Sequence, residues 1–231
     1  MADRYYAPDL LDQPGEFLLT GPEAHHLATV CRAKVGEEIV LFNGAGRSAR
    51  GTIVDLAKRQ VLVAIVAVEV APLPVDRTLG VAFPKGDRSL MLIEKCVELG
   101  IARVVPLLCE RSVLVPGEGK LDRLARTVIE ACKQCGRDHL MKIEPPTELR
   151  RFLSEGPGWQ LDPVGRPVAI SVDRVPSRVA IGPEGGWTEQ EREEARALGW
   201  DRVRIAGHVL RVETAAMALA ACAAIQNDGL S

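Results

Sequence analysis

The hydrophobic positions change rhythm once along the chain, near residue 73. Before it they come in short runs. Glu37–Asn43 (EEIVLFN) ends at Asn43-Gly44, a strong hairpin-turn signal, ARGTIVDL resumes at Ala49, and Val61–Val70 (VLVAIVAVEV) is rich in β-branched residues. One short helix is predicted after Gly21, with Pro22 in its first turn, carrying His25, His26 and Leu27. Several short strands and one helix predict a small β-barrel. Ala71–Arg77 (APLPVDR) places two prolines within three residues and marks the domain boundary, giving domains 1–73 and 74–231.

Beyond it, strands alternate with helices. Thr78–Phe83 is a predicted strand, and Asp87 is a candidate cap for a helix running to Leu99, stopped by Gly100. Ala102–Leu108 follows as a strand, and Lys120–Cys135 as a helix with Leu121, Leu124, Val128 and Ala131 on one face. Leu149–Leu153 is a weaker helix, and Pro167–Val172 and Arg178–Ile181 are strands. Thr188 with Glu191 forms a capping box that opens a helix to Leu198; Arg202–Ile205 is the last strand and Thr214–Gln226 the last helix. This alternation predicts an α/β domain with a mostly parallel sheet, whose ligands bind beyond the carboxyl ends of the strands. Three unusual segments leave strand ends: Cys109–Arg111, Gly182–Trp187 (GPEGGW) and Ala206–Thr214 (AGHVLRVET).

Composition narrows the class. The 231 residues are 47% hydrophobic and 26% charged, which fits a folded protein, and no apolar run approaches the roughly 20 residues of a membrane helix. Met1–Leu10 carries Asp3, Arg4 and Asp9 without an apolar core, unlike a secretory signal, so a cytoplasmic location is expected. The net charge of −2 argues against nucleic-acid binding through bulk positive charge, leaving local patches. Of the six cysteines, Cys132 and Cys135 form one CxxC in a helical context with no second pair, so no metal site is expected and the thiols read as structural.

The chemistry concentrates in two crossings. In Ile181–Trp187, three glycines and a proline define a turn with little side-chain bulk, which lets a ligand reach the backbone; a tight strand-to-helix connection needs the same residues. The lysine and hydroxyl residue of a phosphate loop are missing. Trp187 fits either a lid or a packed core aromatic. In the second crossing, Arg211 and Glu213 precede an apolar helix. Arg211 has the fork geometry for a phosphate or base edge, and the pair fits equally an ordinary salt bridge or cap.

Taken together, IGPEGGWTEQE followed by VLRVETAA resembles the signature of the RsmE family of SPOUT-type methyltransferases. Lys85–Ser112, Glu130–Arg137 and His25–Ile53 resemble further blocks of that family, in the same order along nearly the whole chain. The resemblance implies a PUA-like RNA-binding barrel followed by a SPOUT domain with a trefoil knot, acting as a homodimer. It implies methylation by S-adenosylmethionine of N3 of a specific uridine in 16S rRNA of the small ribosomal subunit. Other SPOUT activities (ribose 2′-O-methylation), a non-catalytic RNA-binding assembly factor and, more weakly, a Gly-loop nucleotide enzyme are the alternatives.

On this reading the cofactor is held by Ile181, Gly182, Pro183, Glu184, Gly185 and Gly186 from the first crossing, and by Ile205, Ala206, Gly207, Val209 and Leu210 from the second. Arg211 and Glu213 are the catalytic candidates. Uridine N3 must lose a proton, and Arg211 suits the stabilisation of charge on a carbonyl oxygen. Arg4, Arg32, Lys34, Lys85 and Arg137 are the candidate RNA contacts, with Arg47 and Arg50 as further barrel cations.

Overall fold

A computed structural model describes residues 3–112, 114, 116–169 and 174–227. They divide into two compact units, the first comprising 1–73 with 129–140 and the second 74–128 with 141–231.

The first unit holds β1 (Arg4–Tyr6), β2 (Gly15–Thr20), α1 (Gly21–His25), a π-helical turn His26–Val30, β3 (Glu38–Phe42), β4 (Arg47–Ala57) and β5 (Gln60–Val70). The strands form one sheet in the order β1-β3-β4-β5-β2, antiparallel except for the β1–β3 pair. Strand periodicity decides what is buried. Val61, Val63 and Ile65 of β5 face a core shared with Tyr5, Leu27, Leu41 and Ile53, while Val66 is exposed. The predicted turn joins β3 to β4: the Asn43 carboxamide oxygen accepts from the N–H groups of Ala45 (2.8 Å) and Arg47 (3.0 Å), and Gly44 takes φ +75°. Residues 129–140 join this unit through backbone bonds linear reading could not assign, Gly46 N–H to the Asp138 carbonyl (3.0 Å) and Leu140 N–H to the Gly44 carbonyl (2.9 Å).

The second unit contains β6 (Thr78–Val81), α2 (Arg88–Glu98), β7 (Arg103–Leu108), α3 (Glu118–Cys135, ending among the residues of the first unit), β8 (Lys142–Ile143), β9 (Thr147–Glu148), α4 (Leu149–Ser154), β10 (Trp159–Pro167), β11 (Arg178–Ile181), α5 (Glu189–Ala197), β12 (Asp201–Arg204) and α6 (Val212–Asn227). Its strands are all parallel, in the order β12-β10-β11-β6-β7-β8, with β9 beside β7. β6 is buried along its whole length, as expected of a strand covered on both faces. The sequence order reverses between β6 and β11, the kind of switch point beside which ligands bind in such sheets.

Two local expectations are corrected. Asp87 stands at the start of α2, but its side chain makes no capping bond. The strand expected at Pro167–Val172 instead runs Trp159–Pro167; 168 and 169 are outside it, and 170–172 lie outside the described residues. Thr188 and Glu191 form both bonds of the capping box. Among the described residues no helix is long and apolar enough to cross a membrane.

Candidate active site

Where β11 ends, the chain turns sharply. Gly186 N–H donates to the Pro183 carbonyl (2.8 Å), and Gly186 takes φ +69°, a conformation glycine adopts without strain. The turn is held from two sides. The Arg111 guanidinium donates to the Gly185 carbonyl (2.9 Å). Trp187, 2% exposed, packs against Gly182 and donates its indole N–H to the Leu161 carbonyl in β10 (2.8 Å). The indole is therefore a core residue that also forms cavity wall.

The second crossing leaves β12 and enters α6. Gly207, His208 and Val209 are exposed, Leu210 is half-buried, and Arg211 is exposed at the helix entrance. Both crossings face one cavity of about 560 Å³ at the carboxyl rim of β10, β11 and β12. Ten of the expected residues line it: Ile181, Gly182, Pro183, Glu184, Gly186, Ile205, Ala206, Val209, Leu210 and Arg211. Gly185, Gly207 and Glu213 are not on its wall.

Sequence reading missed a third wall, Leu161–Pro163 of β10, together with Arg192 of α5 and Arg88 of α2. Asp162 is 2% exposed, yet both of its oxygens are used: Oδ2 accepts from Arg192 Nε (2.8 Å) and Oδ1 from the Val164 N–H (3.0 Å). The bond to Asp162 raises the Arg192 pKa. Gln160 and Asp162 are polar yet buried beside Leu161 in β10, whose later residues are largely exposed. Arg88 contacts the Glu184 carboxylate, and its Nη1 lies 3.8 Å from Oε2 of Glu213. Among the described residues, no group of three or more His, Cys, Asp or Glu is arranged to hold a metal ion.

The candidate RNA contacts are dispersed. Arg32 and Lys34 are exposed in the segment before β3 of the first unit, and Lys85 is exposed before α2 of the second. Arg4 is committed inward: its guanidinium contacts Asp138 and stands over the Phe42 ring, 5.1 Å from the centroid. Arg137 is half-buried, and burial lowers its pKa.

Two known families match consecutive parts of the chain. Residues 71–226 match the RNA methyltransferase domain family and residues 19–66 the RNA methyltransferase PUA domain family. The chain is 33% identical over 208 residues to the ribosomal RNA small subunit methyltransferase E of Synechocystis sp., covering 85% of this chain and 69% of that one. A Neisseria gonorrhoeae ribosomal RNA small subunit methyltransferase E, solved bound to S-adenosyl methionine, superposes with a TM-score of 0.87 at 31% identity, covering 98% of each chain. A Legionella pneumophila protein solved in complex with the cofactor SAM gives a TM-score of 0.86 at 28% identity, covering 99% of this chain and 98% of that one.

Proposed function

This chain belongs to the RNA methyltransferase family, within its ribosomal RNA small subunit methyltransferase E group, and from that premise we propose that it transfers the methyl group of S-adenosylmethionine to N3 of a specific uridine in 16S rRNA. The observation that carries the reading is the meeting of the Gly182–Trp187 and Ile205–Leu210 crossings on one cavity. Its volume of about 560 Å³ suits a nucleoside-sized ligand, since small-molecule pockets span roughly 300–1,000 Å³. The walls fit the group as well: Ile181, Leu161, Ala206 and Leu210 supply apolar surface, and the glycines bring main-chain donors and acceptors to it.

When bound, S-adenosylmethionine supplies a methyl group on a sulfonium, a leaving group that needs no metal. The protein's share is positioning and charge. The two crossings hold the donor and limit water around it. Uridine N3 reacts once its proton has left, and Arg211, exposed on the cavity wall, is the group we assign to stabilising the negative charge on a base carbonyl oxygen. Arg32, Lys34 and Lys85, exposed and cationic, are assigned to RNA phosphates.

The chain is further proposed to act in the cytoplasm as a homodimer. Supporting a dimer, α6 is apolar nearly all round, yet Met217 and Ala218 are only half-buried and Ile225 is 49% exposed.

The test is incubation with methyl-labelled S-adenosylmethionine and small subunits that lack the modification, followed by mass spectrometry of the RNA. Label on uridine N3 is expected. Label on a ribose 2′-oxygen would replace the reading with the other activity of the superfamily, and no label would favour an assembly factor.

A further inference from the structure

The cavity walls come from loops that the sheet does not join directly. The Gly182–Trp187 loop follows β11 and the Ile205–Arg211 loop follows β12, with β10 between those strands. Arg88 belongs to a third element. It opens α2, after β6, the strand that pairs with β11 on its other side. Its side chain lines the cavity and contacts Glu184 of the first loop. The same Nη1 lies 3.8 Å from Glu213 in the first turn of α6, the helix entered by the second loop.

Glu213 is 3% exposed, and its Oε2 is buried with no hydrogen-bond partner. A carboxylate buried that deeply is costly without a compensating charge, and Arg88 is the cation the structure pairs with it. Glu213 also lies off the cavity wall, whereas Arg88 is on it.

We propose that Arg88 is a positioning residue that ties both cofactor loops to the N-terminus of α2, and that Glu213 serves the site by holding Arg88 rather than by taking the uridine proton. This rests on the methyltransferase reading above. Removing Arg88 takes the Glu184 contact from a loop that Arg111 and Trp187 still hold, and leaves the buried Glu213 carboxylate without its cation, so the two walls lose the side chain that links them.

Calorimetric titration of the full chain with S-adenosylmethionine, paired with turnover at saturating cofactor, tests this. Arg88→Met weakens cofactor binding by about tenfold or more, the loss of one charged contact, and Arg88→Lys recovers part of it. Glu213→Gln weakens binding while turnover at saturation stays within about fivefold of wild type. The double variant binds no worse than Arg88→Met alone, because both act through one contact. Wild-type affinity in Arg88→Met overturns the proposal. So does Glu213→Gln that binds normally and loses turnover, since that pattern marks a base. Should Arg88→Met fail to fold, Arg88→Lys, which keeps the charge but shortens and narrows the donor, carries the same test: weakened binding supports the clamp and wild-type affinity overturns it. A wild-type chain that binds no cofactor overturns the methyltransferase reading too, whereas intact wild-type binding with unaffected variants overturns only this inference.

Discussion

A Cβ atom on Gly182 would lie 2.7 Å from the indole of Trp187. The indole cannot yield easily, being 2% exposed and bonded through its N–H to the Leu161 carbonyl. Gly182 therefore lets the first cavity loop lie flat on a fixed aromatic. Gly182→Ala is expected to cost about 1–3 kcal/mol, the usual penalty of overpacking. Urea denaturation of the variant measures it, and S-adenosylmethionine affinity falls with it because the loop is displaced.

The start of α5 couples a cap to the neighbouring loop. Thr188 accepts from the Glu191 N–H (3.3 Å), Glu191 Oε2 accepts from the Thr188 N–H (2.8 Å), and Glu191 Oε1 accepts from the Glu110 N–H (2.9 Å). Thr188→Ala is expected to lose about 0.5–2 kcal/mol, the value of an N-cap. Glu191→Ala loses more, since it also strands the Glu110 amide. Thermal melts of the two variants give the order.

Arg211, the residue proposed to stabilise charge on the base, stands apart from the packed core. It is exposed, and replacing it opens no core cavity. Arg211→Ala is expected to reduce methyl transfer by on the order of 100-fold or more, the scale of lost transition-state charge stabilisation, with an unchanged melting temperature. Single-turnover transfer assays and a melt check both halves.

The thiols separate by burial. Burial pushes the Cys96 thiol up to about 12 and, with help from the Glu191 charge, the Cys109 thiol up to about 12 as well. A raised pKa means less thiolate at a given pH, and thiolate is the reactive form. Iodoacetamide at pH 8 is therefore expected to label the exposed Cys31 and Cys135 in the native protein and to spare Cys96 and Cys109 until the chain is unfolded. Peptide mass spectrometry reads the pattern.

What sequence made legible was local. The Thr188–Glu191 box spans three residues and is seen in both bonds. The GPEGGW and AGHVLRVET segments announce themselves by glycines and charges beside strands. β10 did not, because Gln160, Asp162, Pro163 and Gly165 break the apolar pattern of a buried strand; the cation paired with Asp162 is Arg192, 30 residues away. Arg88 was missed for the same reason, since its partner Glu184 is 96 residues distant and nothing near Arg88 points to a cavity. The joining of 129–140 to the first unit likewise depends on contacts with Gly44 and Gly46 that no periodicity encodes.

If the two crossings enclose one S-adenosylmethionine, a crystal structure of the chain grown with that compound shows the adenosyl group between the Gly182–Trp187 and Ile205–Leu210 loops, with its sulfonium on the side of Arg211. Electron density for the nucleoside anywhere else, or that cavity closed by packed side chains, would contradict it.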